Sequence, residues 1–514
     1  MFFKPGKVKA MWDTWLLYKD NTHYLFYLHI EKGDQWDGIS LAVSPDGVHY
    51  EEIGPILRKR DDAMWMGTGS IWIAENQYIL NFSEQRNGIQ SIYFARSNDL
   101  IHWERLSDTY RSKPDRRWYD DTETGRWDCI WANKKQSGGF YGYLTARPWN
   151  KTAGITFESI GMVESTDGLH WHAIKPPLIE WGDWPQMNVG EVGAIEKIDK
   201  KYYLLLGYSE LALGERQVYE ELRPALAMVN GKYRSKGMYA FVSDKPEGPF
   251  YPDKIAYRFL VSNGAYFARF YRFEDELLVN HHSFEHVGDG GRVWMAPLKK
   301  VTVDNSGSLR LEYWYGNNAA KGDEQAIDLS KATIIDVFTN SGAGEKPNRN
   351  KLHQGLHPWK ISASTIEAHD PYNGGIITLN EKFNIMKGII LEGTMSIANP
   401  PGRYAGIGFY FEHDAQNREG TGIMMQTNGC TEIASMVDNE RGLFNPKYRL
   451  QCGIQPDKES RFRILMRRTM MELYLDDILM QCYTFPQHPT GAIGLIFESG
   501  RATFRKIRSW QMNV

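Results

Sequence analysis

Apolar runs of strand length, each broken by a short polar turn and resumed, fill roughly the first 300 residues. Five stretches share this form: "WDTWLLYKDNTHYLFYLH", "GTGSIWIAENQYILNFSE", "WDCIWANKKQSGGFYGYLTA", "GEVGAIEKIDKKYYLLLGYS" and "YFARFYRFEDELLVNHHSF". Each reads as an apolar strand, a polar turn and a second strand rich in Tyr, Leu and Phe, which predicts a hairpin. A second pattern follows the first. "AVSPDGVHYEEI" (Ala42 to Ile53), "ARSNDLIHWERL" (Ala95 to Leu106) and "VESTDGLHWHAI" (Val163 to Ile174) share Ser, a turn Asp and a His-aromatic pair, and "FVSDKPEGPFYPD" (Phe241 to Asp253) is a degenerate copy. Its Asp can close the turn on backbone N–H groups. His49, His102 and His170 recur with the turn, which makes them structural.

The two hairpins make a unit of about four strands, repeated five times at intervals of roughly 55–75 residues. Four-stranded units repeated radially predict a five-bladed β-propeller over residues 1–325. "GERQVYEELRPALAMV" (Gly214 to Val229) is the one stretch with room for a short helix, as an insertion. The repeat stops near Asp328. Residues 326–355 read as a linker and first segment, with "NSGAGEKPNRNKLHQG" at their end. From 356 to 514, alternating runs such as "YAGIGFYFEH" and "RRTMMELYLDD" predict an antiparallel β-sandwich, the latter run ending in a tight Asp476-Asp477 turn. The fold class is therefore all-β.

Composition narrows the function. A net charge of −3 argues against a nucleic-acid or anionic-membrane surface. No apolar stretch is long enough to span a bilayer. The start, "MFFKPGKVKAMWD", lacks a long apolar segment and does not read as a signal peptide, so a cytoplasmic location is expected. Cys129, Cys430, Cys452 and Cys482 lack CxxC spacing, so neither a zinc site nor a disulfide framework is expected. Aromatic residues make up 13% of the chain and include 17 Trp, which suits sugar-binding platforms and β cores alike.

The chemistry comes from the acids. Aligning the five second strands on Tyr24, Tyr78, Phe140, Tyr202 and Leu277 places Asp13, Gly67, Asp128, Glu191 and Tyr266 of the first strands at one level, allowing slips of one residue. In a propeller that level is a mouth of the central channel, so three acids are expected to converge there. Each sits among apolar neighbours, in "MWDTW", "RWDCIW" and "VGEVGA". A buried acid is costly unless it is paired or used. Glycosidic cleavage uses such a set: one carboxylic acid protonates the leaving oxygen, and one carboxylate attacks the anomeric carbon or activates water. Crowding raises at least one pKa, which supplies the protonated acid at neutral pH.

Asp on the first unit, Asp on the third and Glu on the fourth resemble the five-bladed propeller glycosidases, glycoside hydrolase families 32 and 68 with the related families 43 and 62. The C-terminal sandwich favours family 32, the β-fructofuranosidases, invertases, inulinases and levanases. "AMWDTW" stands where that family has a Trp-Met-Asn-Asp-Pro-Asn-Gly motif, "WMGTGS" (Trp65 to Ser70) resembles its Phe-Ser-Gly-Ser motif, and "RRTMMELYLDD" (Arg467 to Asp477) resembles a sandwich strand. The resemblance implies a retaining, exo-type hydrolase of fructofuranosyl linkages, with Asp13 as nucleophile, Asp128 as transition-state stabiliser and Glu191 as acid/base. The sugar site is expected to be lined by Trp12, Trp36, Asp37, Trp65, Thr68, Arg126, Tyr266 and His281, with no metal and no cofactor. The chain departs from the family in three places: the Asn-Asp-Pro-Asn-Gly core is absent, "RWD" replaces Arg-Asp-Pro, and Val192 replaces the Cys after the acid/base. Two alternatives stay open, an inverting family-43-like arabinofuranosidase or xylosidase, and a non-catalytic carbohydrate-binding propeller. Glu196 lies five residues beyond Glu191 and ranks below it. The expected partner is an oligosaccharide or disaccharide, with self-association left open.

Overall fold

Paired turn residues set the hairpins. Asp20 and Asn21 adopt φ of 47° and 57°, and Glu75 and Asn76 adopt 48° and 60°. Two consecutive left-handed residues match the right-handed twist of the flanking strands. The same device operates at the expected Asp476-Asp477 turn, with φ of 49° and 68°. The computed structural model describes residues 1–149, 159–180, 191–208, 227–229, 232–234, 237–254, 259–260, 264–286, 293–339, 359–416, 419–436, 445–450 and 453–514.

Four antiparallel four-stranded sheets follow one another as propeller blades. The first holds Ala10–Lys19, Thr22–Ile30, Gly38–Ser44 and Glu51–Arg58. The second holds Ala63–Ala74, Gln77–Arg86, Ile89–Ser97 and Glu104–Arg105. The third holds Trp127–Lys134, Phe140–Ala146, Ser159–Ser165 and His172–Ile174. The fourth holds Glu191–Ile198, Lys201–Tyr208, Gly237–Ser243 and Tyr251–Pro252. Of the expected helix at Gly214 to Val229, only Ala227–Val229 is described, and it is a strand paired with Lys232–Arg234.

The strands Ala265–Phe273, Glu276–Phe284, Val293–Met295 and Lys299–Val303 continue by hydrogen bonding into a large C-terminal sheet. The link is the strand Leu309–Tyr313, which pairs with Lys299–Val303 on one side and, through Glu312, with Ile478 on the other. The 21-residue strand Ala492–Met512 organises the C-terminal part, pairing in turn with strands around Ile376, Leu391 and Phe409. The C-terminal strands bury a core of their own that includes Leu391, Phe409, Leu473 and Leu495. A second core is shared, joining Phe267, Tyr271 and Phe284 to Leu465, Tyr474 and Trp510. Continuous sheet and shared core hold these four strands firmly.

The Ser-Asp-His turn recurs with one geometry. Ser44, Ser97 and Ser165 donate to Asp46, Asp99 and Asp167 at 3.0, 3.0 and 2.9 Å, and the Asp carboxylates meet His49, His102 and His170 Nδ1 at 2.6, 2.7 and 2.6 Å. Asp46 also accepts from the Val48 and His49 amides, and these bonds hold its carboxyl at about 2 against its burial. Asp46→Ala should cost about 1–2 kcal/mol of stability, read as a lower midpoint in urea at pH 6. A depressed carboxyl stabilises above its unfolded pKa and loses that effect as pH falls through the folded value. The gap between variant and parent should therefore close between about pH 4 and pH 2.

Candidate active site

The strands Ala10–Lys19, Ala63–Ala74, Trp127–Lys134, Glu191–Ile198 and Ala265–Phe273 pack each on the next, and the last returns to the first. All five carry a β-bulge in their first half. Asp13-Thr14, Gly67-Thr68, Cys129-Ile130, Gly193-Ala194 and Phe267-Ala268 each oppose a single residue of the neighbouring strand. Asp13, Cys129 and Phe267 adopt φ of 40°, 51° and 54°. Asp tolerates left-handed backbone, whereas Cys and Phe adopt it only under constraint from their surroundings.

The bulges correct the sequence alignment. The structural equivalents of Asp13 are Gly67, Cys129, Gly193 and Phe267. Asp128 stands one residue before its bulge and Glu191 two residues before. Residue counting slips for two reasons: the turn after Lys134 has five residues against two after Lys19, and the bulge lies nearer the turn in the strand of Glu191, whose turn again has two residues. A bulge re-aims side chains out of strand alternation, so acids from three levels can still gather.

They do gather. Arg126 Nη2 lies 3.1 Å from Asp128 Oδ2 and 3.3 Å from Glu191 Oε1. Asp128 Oδ1 accepts from Ser83 Oγ at 2.7 Å, and Gln90 donates to Ser83 Oγ at 3.0 Å. Asp13 is 2% exposed. Burial pushes its carboxyl well above the usual range, and the charges of Glu191 and then Asp128 push the same way, against the guanidiniums of Arg269 and Arg126. Tyr266 is buried and its phenol hydrogen-bonds Glu191; burial first, then the Glu191 and Asp13 charges, hold the phenol well above its ordinary value. Gly207 leaves room for that ring, since a Cβ there would come within 2.6 Å of the Tyr266 hydroxyl.

Around the acids, Trp12 packs against Trp36 at 6.1 Å and Tyr266 at 6.2 Å between ring centroids. Trp65 Nε1 donates to Gln85 Oε1 at 2.6 Å. Thr68 is buried as the second residue of its bulge, and its hydroxyl has no hydrogen-bond partner among the described residues. Two expected site residues face elsewhere. Asp37 closes its own loop, accepting from the Glu31 amide at 3.0 Å and lying 3.3 Å from His29 Nε2. His281 is buried against the C-terminal strands, 3.7 Å from Glu472, which Lys299 Nζ holds at 2.6 Å. Adjacent strand residues face opposite sides, so His282 takes the place beside Trp12, at 4.6 Å between ring centroids. Glu196 pairs with Arg272 at 2.6 Å, away from the acids.

No protein-family model matches the chain, and no curated protein matches it in sequence. Solved structures do match in fold. An exo-inulinase from Aspergillus awamori superposes with a TM-score of 0.64 at 13% identity, over 100% of this chain and 97% of that one. A GH32 β-fructofuranosidase from Bombyx mori gives 0.61 at 12% identity, over 98% and 92%. A sucrose-6-phosphate hydrolase from Lactobacillus gasseri gives 0.61 at 13% identity, over 96% and 88%. The chain has a glycoside hydrolase family 32-like fold.

Within this family 32-like fold, several site residues carry no motif in the sequence. Ser83 and Gln90 brace Asp128, His282 flanks Trp12, and Arg269 lies fully buried among the inner strands. Arg269 had a signal: an Arg inside "AYFARFYRF" is a cation in a strand that should be buried. Gly67 is another. A Cβ there would lie 2.2 Å from Ser83 Oγ and 2.8 Å from Asp128 Oδ1. Gly67→Ala should part Ser83 from Asp128 and lower kcat about 10–100-fold in a folded protein, since small displacements of reacting groups are costly. Steady-state kinetics beside a thermal melt checks this.

Proposed function

We propose that this protein is a retaining glycoside hydrolase that cleaves fructofuranosyl linkages in fructans, sucrose-type oligosaccharides or fructose-containing disaccharides. The carrying observation is that Arg126 ties Asp128 to Glu191 beside the buried Asp13. The ring of bulged strands supports reading Ala265–Phe273 to Lys299–Val303 as a fifth blade, and the separate C-terminal core supports a sandwich. The fructofuranosidase from Schwanniomyces occidentalis, similar in fold at 14% identity, has been solved with fructosylnystose.

On this reading Asp13 attacks the anomeric C2 of the fructosyl unit. Glu191 gives its proton to the glycosidic oxygen as the C2–O bond breaks. Glu191 then removes a proton from water, the water oxygen bonds to C2, and the bond to Asp13 breaks, so two inversions give retention. Asp128, held by Ser83 and Arg126, accepts hydrogen bonds from ring hydroxyls as positive charge develops at C2. Tyr266 holds Glu191 in place. Trp12, Trp36 and Trp65 offer apolar faces to the sugar.

The test is release of fructose from sucrose, inulin and levan, with the first-formed anomer followed by NMR. Fructose released as the β anomer supports the reading. No release from any fructoside sinks it, and release as the α anomer replaces double displacement with a single inverting step.

A further inference from the structure

Arg269 is an arginine with no surface to reach. It is 0% exposed, on the inner strand Ala265–Phe273. Its Nη1 donates to the Gly69 carbonyl and its Nη2 to Cys129 Sγ at 3.0 Å. The guanidinium lies 4.4 Å from the Phe267 ring centroid, 5.3 Å from Trp131 and 5.8 Å from Trp15. It therefore touches side chains or backbone from four of the five inner strands. No carboxylate pairs with it directly among the described residues, although a buried charge ordinarily demands a partner.

We infer that Arg269 is the fixed counter-ion that lets Asp13 ionise while a second carboxylate of the cluster keeps its proton, and that it thereby sets the acid limit of activity. The inference rests on the hydrolase reading of the three acids and deepens it. The Nη2 bond to Cys129, the structural equivalent of Asp13, brings the guanidinium to the level of the ring at which Asp13 stands. The charged and titratable groups around Asp13 are Asp128, Cys129 and Arg126 around the Trp127–Lys134 strand, Glu191 on its strand, Tyr266 and Arg269 on theirs, and His282, which packs on the adjacent Trp12. Tyr266 stays a neutral phenol, and burial pushes the Cys129 thiol up to about 11, so neither carries charge at neutral pH. Double displacement needs one proton among the three acids, which leaves two negative charges. Arg126 and Arg269 match them. Without Arg269 two negative charges face one positive charge in a poorly solvated site, and a second proton binds. Asp13, the most buried of the three acids, receives it and can no longer attack.

The test is Arg269→Gln, which removes the charge and keeps a donor, against Arg269→Lys, which keeps the charge. The acid limb of kcat/KM is expected to move up by about one pH unit or more in Arg269→Gln, and to stay near the parent's in Arg269→Lys even if kcat falls. A purely architectural Arg269 would lower kcat in both variants and move neither limb, which overturns the proposal. A cycle without turnover separates the proposal from the hydrolase reading. Asp13→Asn should raise the melting temperature at pH 7 more in the Arg269→Gln background than in the parent. Additive shifts overturn the counter-ion role whether or not the protein cleaves fructosides. If Arg269→Gln alone does not fold, the counter-ion role requires that adding Asp13→Asn restores folding, and a double variant that also fails to fold overturns it.

Discussion

Asp13→Asn is expected to lower kcat about 10⁴-fold or more and to raise the melting temperature at pH 7 in the same molecule. The first effect follows from removing the proposed nucleophile, because an amide oxygen does not form the covalent intermediate. The second follows from the environment. Asp13 is buried beside Glu191 and Asp128, so its folded pKa lies well above its unfolded value. A carboxyl raised on folding stabilises fully below its unfolded pKa, and that contribution is lost as pH rises through the folded value. At pH 7 the parent therefore carries a penalty that the neutral Asn lacks. Asn also accepts the left-handed backbone at this position, where φ is 40°. The gain should be about 1–3 °C at pH 7 and should vanish near pH 4. Calorimetry across that range, beside kinetics, checks both halves. A variant that loses activity and stability together would mark Asp13 as a structural turn residue.

Glu191→Gln should divide substrates by their leaving groups. For sucrose or an inulin oligomer the departing alkoxide needs a proton, and kcat is expected to fall about 10²–10⁴-fold. An aryl fructofuranoside with an acidic phenol leaves without help, so its first step should be nearly intact and should show as a burst of phenol. The covalent intermediate then accumulates, because no base activates water. Azide, which needs no base, should restore turnover and give the β-fructosyl azide. The basic limb supplies a separate reading. It reports loss of the proton that Glu191 donates, so with the aryl substrate it should be absent in Glu191→Gln. Equal losses on both substrate classes would place Glu191 in binding rather than in proton transfer.

Both predictions depend on how the inner strands present their acids. Asp13 lies in its bulge, Asp128 one residue before its own and Glu191 two before. The bulges are braced from neighbouring sheets. Asn81 in the second sheet accepts from the Ile130 amide at 2.8 Å, and Asn280 donates to the Thr14 carbonyl at 2.9 Å. Each Asn therefore grips the second bulge residue of the next inner strand. The acids sit on a frame of backbone bonds, which suits a site that must hold its geometry while charge moves.

The fold was legible in the sequence to the extent that it is local. Period-two alternation, two-residue turns such as Asp20-Asn21, and the Ser-Asp-His repeat are decided by neighbours a few positions apart. They are readable because side-chain direction and turn chemistry follow local rules. The same reading singled out Asp13, Asp128 and Glu191, because an acid flanked by indoles or glycines inside an apolar run stands out. It misjudged their level, because a bulge adds one residue without a compositional mark and its distance from the turn varies from strand to strand.

What the sequence by itself determined is an all-β chain of repeated hairpins with acids at the heads of three inner strands. Only the tertiary structure decided that His282 rather than His281 lies beside Trp12, that Asp37 closes its own loop, and that Arg269 is buried among the inner strands without a surface to reach. The physical reason is the range of the forces involved. Strand pairing and turn bonding act between residues close in the chain, whereas the ionisation of Asp13 depends on charges carried by strands that meet only when the ring closes.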